Sequence, residues 1–178
     1  YGQRTDVFFN RETWTSLWKY EYISGDGTGN GGIWTDLSTN IPANSIYSFD
    51  NFNAQGSYDL LVSVNPLDPN LVIIGGTNLW RSTDGFTSPN NTDIIGGYRS
   101  GSHEGDGNWG SYENHHPDQH EIVYLPSNPN ILINGNDGGV YKTLDIFNDT
   151  VKWISLNNGY NTTQLYTASV SKNPNSPI

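Results

Sequence analysis

The chain contains no cysteine and no methionine. Without cysteine there is no disulfide framework, no thiol nucleophile and no thiolate zinc site. With no methionine and Tyr1 in first place, the sequence reads as a processed product or a fragment. Basic residues are scarce: eight Lys and Arg face eighteen Asp and Glu, for a net charge of −10. A nucleic-acid partner needs a basic surface that releases phosphate counterions, so none is expected, and anionic membranes are disfavoured likewise. Long apolar runs are also missing. Stretches such as Leu71–Ile74 are a handful of residues, whereas a transmembrane helix needs about 20. No signal peptide is visible. Strong helix formers are few, and no long stretch carries a 3.6-residue apolar period.

What the chain does have is turn and strand material. It holds 20 Gly, 9 Pro and 23 Asn, with 13% aromatics. Gly, Asn and Pro serve turns, while Trp, Tyr, Val and Ile serve strands. Six Trp and eleven Tyr are poor material for a solvated, disordered chain. The expectation is a folded all-β protein.

Internal repetition organises the sequence. Residues 60–75 read strand, Pro/Asn turn, strand, and residues 120–135 do the same. Pro66 matches Pro126, Pro69-Asn70 matches Pro129-Asn130, and Gly75 matches Gly135, all at an offset of 60. After a one-residue insertion, residues 79–84 align with residues 140–145. A third copy opens at Leu165. A fourth strand is expected after each Asp, at Val151–Leu156 in the second copy and near Thr92–Ile95 in the first. Residues 15–23 and 32–37 look like the last two strands of an earlier copy. Four antiparallel strands per repeat describe a β-propeller blade. The nearly continuous apolar runs at Leu71–Ile74 and Ile131–Ile133 imply sheets covered on both faces, as in stacked blades. The predicted organisation is 1–57, the end of one blade plus a connection; 58–117, a full blade with a long loop; 118–164, a full blade; and 165–178, the first strand of a truncated blade.

Ser82-Thr-Asp84-Gly85 resembles the Asp-box, or BNR, motif of sialidase-like and sortilin-like propellers, and Thr143-Leu-Asp145 followed by Trp153 resembles a looser copy. The resemblance implies an Asp that caps a tight turn between third and fourth strands, with a Trp packed beneath it. The first box has Phe86 in place of a nearby Trp, and the second lacks the Gly. A longer series, Gln55–Leu60, Gly75–Asp84, His116–His120, Gly135–Gly139 and Leu156–Tyr160, resembles propeller regions of large secreted Bacteroidota proteins of the type IX secretion kind. That resemblance implies an extracellular or cell-surface location.

Several constellations could carry chemistry. Three of the four histidines fall within 115–120. If His116, Asp118 and His120 lie on one extended strand they share a face, and two imidazoles with a carboxylate suit Zn or Fe. The plainer reading is a polar network bonding neighbouring strands. Residues 134–139, Asn-Gly-Asn-Asp-Gly-Gly, could form an oxygen-rich calcium loop, but a tight turn explains them as well. In the long loop, Glu104 and Asp106 stand near Trp109, Tyr112 and His115. Acids beside aromatics are what a glycosidic site uses, with Asp118 a further candidate acid. A sialidase would want three arginines, and only Arg4, Arg11, Arg81 and Arg99 exist. Asp149-Thr-Val151 resembles an O-glycosylation signal, placing sugar on Thr150.

The sequence therefore predicts a propeller segment with a structural or recognition role, non-catalytic in this segment. Its expected partners are the remaining blades and a polysaccharide or surface protein. No cofactor is expected other than a divalent metal at the His/Asp cluster. Part of a secreted glycoside hydrolase, xyloglucanase-like or sialidase-like, is the alternative.

Overall fold

The computed structural model describes residues 3–6, 11–27, 29–103, 107 and 109–160. They are all-β: twelve strands, four single 3-10 turns and no α-helix. Two short hairpins come first, β1 (Gln3–Asp6) with β2 (Arg11–Trp14), and β3 (Trp18–Tyr22) with β4 (Gly32–Asp36). Two four-stranded antiparallel sheets follow. The first is β5 (Leu61–Val64), β6 (Val72–Gly75), β7 (Leu79–Ser82) and β8 (Thr92–Gly96), paired in chain order. The second is β9 (Gln119–Leu125), β10 (Asn128–Asn136), β11 (Gly139–Thr143) and β12 (Trp153–Ser155), again in chain order. Neither sheet closes on itself.

The 60-residue offset survives at the level of register. In the first sheet one cross-strand row is Ser63, Ile73, Arg81 and Asp93. In the second, the row at the same offsets is Val123, Ile133, Lys142 and Ile154. The opposite faces correspond too: Val62, Ile74, Trp80 and Ile94 map onto Ile122, Asn134, Tyr141 and Ser155.

Side chains alternate across a strand, so a buried row on each face means two covers. The first sheet has both. Leu71, Ile73, Leu79 and Ile95 pack against Ile122, Leu132, Ile146, Val151 and Trp153 of the second repeat. On its other face Val72, Ile74 and Trp80 pack with Leu37, Phe52, Ala54 and Phe86. This is why its central strands β6 and β7 are buried throughout.

Polar bonds lock the two sheets together. Arg81 Nη1 donates to the carbonyls of Ile146 (2.6 Å) and Asn148 (2.7 Å), while Nη2 reaches Asp93 Oδ2 at 3.2 Å. Trp153 Nε1 donates to Ile95 O at 2.6 Å.

The two box turns sit at the same place in each repeat: Gly85 N donates to Asn70 O, and Ile146 N donates to Asn130 O. In the first, Ser82 Oγ donates to Asp84 Oδ1 (2.9 Å) and accepts from Phe86 N (2.8 Å). Asp84 Oδ2 accepts from Ser88 Oγ and Asn91 Nδ2, each at 2.9 Å. Partial burial opposes ionisation of Asp84, but the bonds from Asn91, Ser82, Ser88 and Thr87 outweigh it and hold the carboxyl at about 2. The missing Trp is answered by Phe86, fully buried at a φ of 59°. In the second turn Asp145 accepts from Phe147 N at 3.0 Å, and Ile146, standing where the first box has Gly85, sends its side chain into the core. Asp84→Ala should lower the unfolding free energy by about 1–2 kcal/mol, the scale of lost side-chain capping bonds. Urea denaturation measures it, and an unchanged midpoint would show that the turn holds without its carboxylate.

Candidate functional site

Three loops converge at the end of the sheets where β5 and β9 begin. The segment before β9 threads between two hairpin turns. Asp118 N donates to Thr77 O (3.0 Å) and Gln119 N to Gly76 O (2.9 Å), both in the β6–β7 turn. From the β10–β11 turn, Asp137 N donates to Asp118 O at 3.2 Å. The loop ahead of β5 brings Asp59 and Gln55 to the same place, with Gln55 Nε2 donating to Asp118 Oδ1 at 2.8 Å.

Asp59 is fully buried, and neither of its carboxyl oxygens meets an N–H or O–H donor among the described residues. The imidazole Nδ1 of His120 stands 3.6 Å away, and the other ring nitrogen bonds Asp137 Oδ1 at 2.5 Å. Tyr58 meets the His120 ring edge-on at 5.7 Å. Burial, then the neighbouring Asp118 charge, pushes the Asp59 carboxyl up to about 7. Burial and then Asp137 raise Asp118 as well. A proton on Asp59 resolves the conflict, because only the protonated acid can donate to Asp118. The group is thus a carboxyl pair holding one proton, beside an imidazole.

The expected strand geometry of His116, Asp118 and His120 is corrected here. β9 starts at Gln119, and Asp118 has a φ of 64°, so the alternation that would align the three side chains is broken. His116 turns its Nδ1 to Pro117 O at 2.9 Å. Among the described residues no group of three or more His, Asp or Glu is disposed to hold a metal ion. In residues 134–139, weighed as a calcium loop or a tight turn, two side-chain amides are already committed. Asn134 and Asn136 point inward, where Asn134 Oδ1 bonds His115 Nε2 (3.0 Å) and Asn136 Nδ2 donates to His116 O (3.1 Å).

His115, expected near a ligand, is a core residue, only 5% exposed. Gly97 N donates to its Nδ1 at 2.9 Å, which leaves the proton on Nε2 for Asn134. Its ring packs on Trp153, with centroids 4.3 Å apart, and a side chain at Gly96 would collide with it. Burial drives its pKa down to about 3, so the ring stays neutral. Glu104 and Asp106 lie outside the described residues. Trp109 is 54% exposed and stands near-parallel to Phe49 at 6.2 Å, while Phe49 stacks on Tyr98 at 3.8 Å. Asp118 and Tyr112 are far apart in role: Tyr112 donates its hydroxyl to Val151 O (2.9 Å) and lines a separate groove.

No protein family, curated protein or solved structure matches this chain. The site must be read from its own geometry.

That groove is a concavity of about 780 Å³ between Arg99 with residues 111–114 on one side and the 143–154 edge of the second sheet on the other. Thr150, the glycosylation candidate, is exposed on its rim. Sequence reasoning passed over Asp59 and the clamp made by Arg81, and weighed Asp137 only as part of a calcium loop. For Asp59 a signal existed: the offset of 60 places it on Gln119, and both are polar and fully buried. Gln119 carries its own donor and gives it to His116 O at 2.8 Å; Asp59 has none to give until it is protonated.

Proposed function

We propose that the chain is a segment of an extracellular, Asp-box-type β-propeller whose role is scaffolding and recognition of a polysaccharide or protein partner, without catalysis in this segment. The observation that carries the reading is the unequal cover of equivalent rows. In the first sheet the row of Ile73 and Arg81 is buried by the next sheet. In the second sheet the same row presents Val123 at 50% exposure and Ile154 at 43%, with Ile133 half-buried between them. One step of the repeat leads from a covered face to an open one, and a further sheet of the same kind fits it.

The Asp-box resemblance supports the same assignment, and with it the extracellular location. A hydrolase needs two carboxylates across one cleft. Asp118, the candidate acid among the described residues, is engaged with Gln55 and Asp59 at one end of β11, and the carboxylate of Glu113 lines the groove at the other. Separation of this kind favours recognition over hydrolysis.

An open face that carries Val123, Ile133 and Ile154 around Lys142 should bind an apolar fluorescent dye and drive self-association of the isolated chain. Val123→Glu with Ile154→Glu should cut dye fluorescence by more than half and yield a monomer. Stability should move by no more than about 1 kcal/mol, as for exposed positions. A wild-type chain that is monomeric and blind to the dye would sink the reading.

A further inference from the structure

The groove below the second sheet is held open by bonds that owe nothing to a ligand. Its two walls are joined at the base by the Tyr112 hydroxyl to Val151 O, 2.9 Å, and by Trp153 Nε1 to Ile95 O, 2.6 Å. Beneath, Arg81 grips the carbonyls of Ile146 and Asn148. Residues 98–99 are tied to residues 110–111 by Arg99 N to Gly110 O at 2.8 Å and by the bridge of Tyr98 with Ser111. A Cβ at Gly110 would come within 3.3 Å of Arg99 Cζ, so the guanidinium lies against bare backbone.

Three charged side chains along this groove are unspent. Neither Arg99 nor Lys152 makes a side-chain hydrogen bond or ion pair among the described residues, and Glu113 accepts none there. Asp145 adds a carboxylate from the facing wall, and Leu144, largely exposed, supplies an apolar surface. Two cations and two acids cancel, so the groove lining carries no net charge. In a chain of net charge −10 a polyanion has no purchase. A purely apolar ligand would strand four charged groups against it. Planar guanidinium and carboxylate groups beside apolar carbon match a ligand dense in paired hydroxyls with C–H faces. The volume falls within the range of about 300–1,000 Å³ usual for binding sites.

We propose that this groove, built around Arg99, Tyr112, Glu113, Asp145 and Lys152, is a binding site for a neutral polysaccharide chain. The inference rests on the recognition role proposed above and names where and what that recognition is. Arg99 and Glu113 clamp vicinal hydroxyls on one wall, Asp145 and Lys152 on the other, and Leu144 and the Tyr112 ring meet the sugar faces. A glycan on Thr150 would crowd the rim and compete.

The test is affinity electrophoresis of the chain through gels containing soluble β-glucan, xyloglucan or galactomannan, with polygalacturonate as the polyanion arm. At least one neutral polymer should retard the wild type, and Arg99→Ala with Glu113→Gln should weaken that retardation at least tenfold. Asp59→Asn, at the opposite end of the sheets, should leave it unchanged. Circular dichroism of each variant confirms that it is folded. Retardation that survives the groove substitutions overturns the groove while leaving recognition standing. Retardation only by polygalacturonate, abolished by salt, overturns the ligand class. Retardation by none overturns both.

Discussion

Arg81→Ala should cost about 3–5 kcal/mol of stability, the largest loss of any single substitution considered. The guanidinium is buried between the two sheets and donates to two carbonyls of the second repeat, one of them on the fully buried Ile146. Hydrogen bonds from a charged donor contribute roughly 1.5–3 kcal/mol each, and removing the donor leaves buried acceptors dry. For a chain of this size that loss lowers the melting temperature by about 10 °C. Asp93, the ion-pair partner, is largely exposed, so Asp93→Asn should cost less than about 1 kcal/mol. Calorimetry of the two variants separates the roles. Equal effects would show that the ion pair, and not the grip on the second repeat, gives Arg81 its weight.

The second large effect is in pH. Asp59 titrates near 7 in the folded chain and near 3.9 when unfolded. Between those values the folded state holds a proton that the unfolded state has released, so stability falls as pH rises from about 4 to 7 and is flat above. His115 runs the other way. Its folded pKa of about 3 lies below the ordinary histidine value, so the unfolded state binds the extra proton and stability rises from about pH 3 to 6.5. The two slopes oppose each other over most of their span. Asp59→Asn keeps a donor for Asp118 and removes the ionisation. It should therefore stabilise the protein at pH 8 relative to pH 4. Three pK units correspond to about 4 kcal/mol, and solvent around the exposed His120 and Asp137 reduces this to about 2. Urea titrations at both pH values check it. A variant no more stable than wild type at pH 8 would mean that Asp59 is not carrying a raised pKa.

How far the sequence reached depended on the physics involved. Strand order and register follow from apolar runs and turn residues close together in the chain, so the 60-residue repeat revealed both sheets and even the weak strand at Thr92. Pairs such as Arg81 with Ile146, or Asp59 with Asp118, bring together residues some sixty positions apart. Only the stacking of the sheets makes them neighbours. The shared face of His116, Asp118 and His120 fails for a different reason, although the polar network expected there is present. The positive φ at Asp118 falls on a residue that is not glycine, and it breaks the alternation on which the shared-face argument depended. His115 looked like one of a functional trio because histidine is rarely core material. A donor from Gly97 on one side and an acceptor from Asn134 on the other make it so here.

The unequal cover of the two sheets also grades the molecule in time. A sheet with neighbours on both faces opens only when one of them has left, whereas a sheet with a single neighbour can lift away alone. Backbone amides of β6 and β7 are thus the slow clock of this chain, and those of β11 and β12 the fast one. Adding one more repeat would reset the fast clock to the slow rate without changing a residue in it.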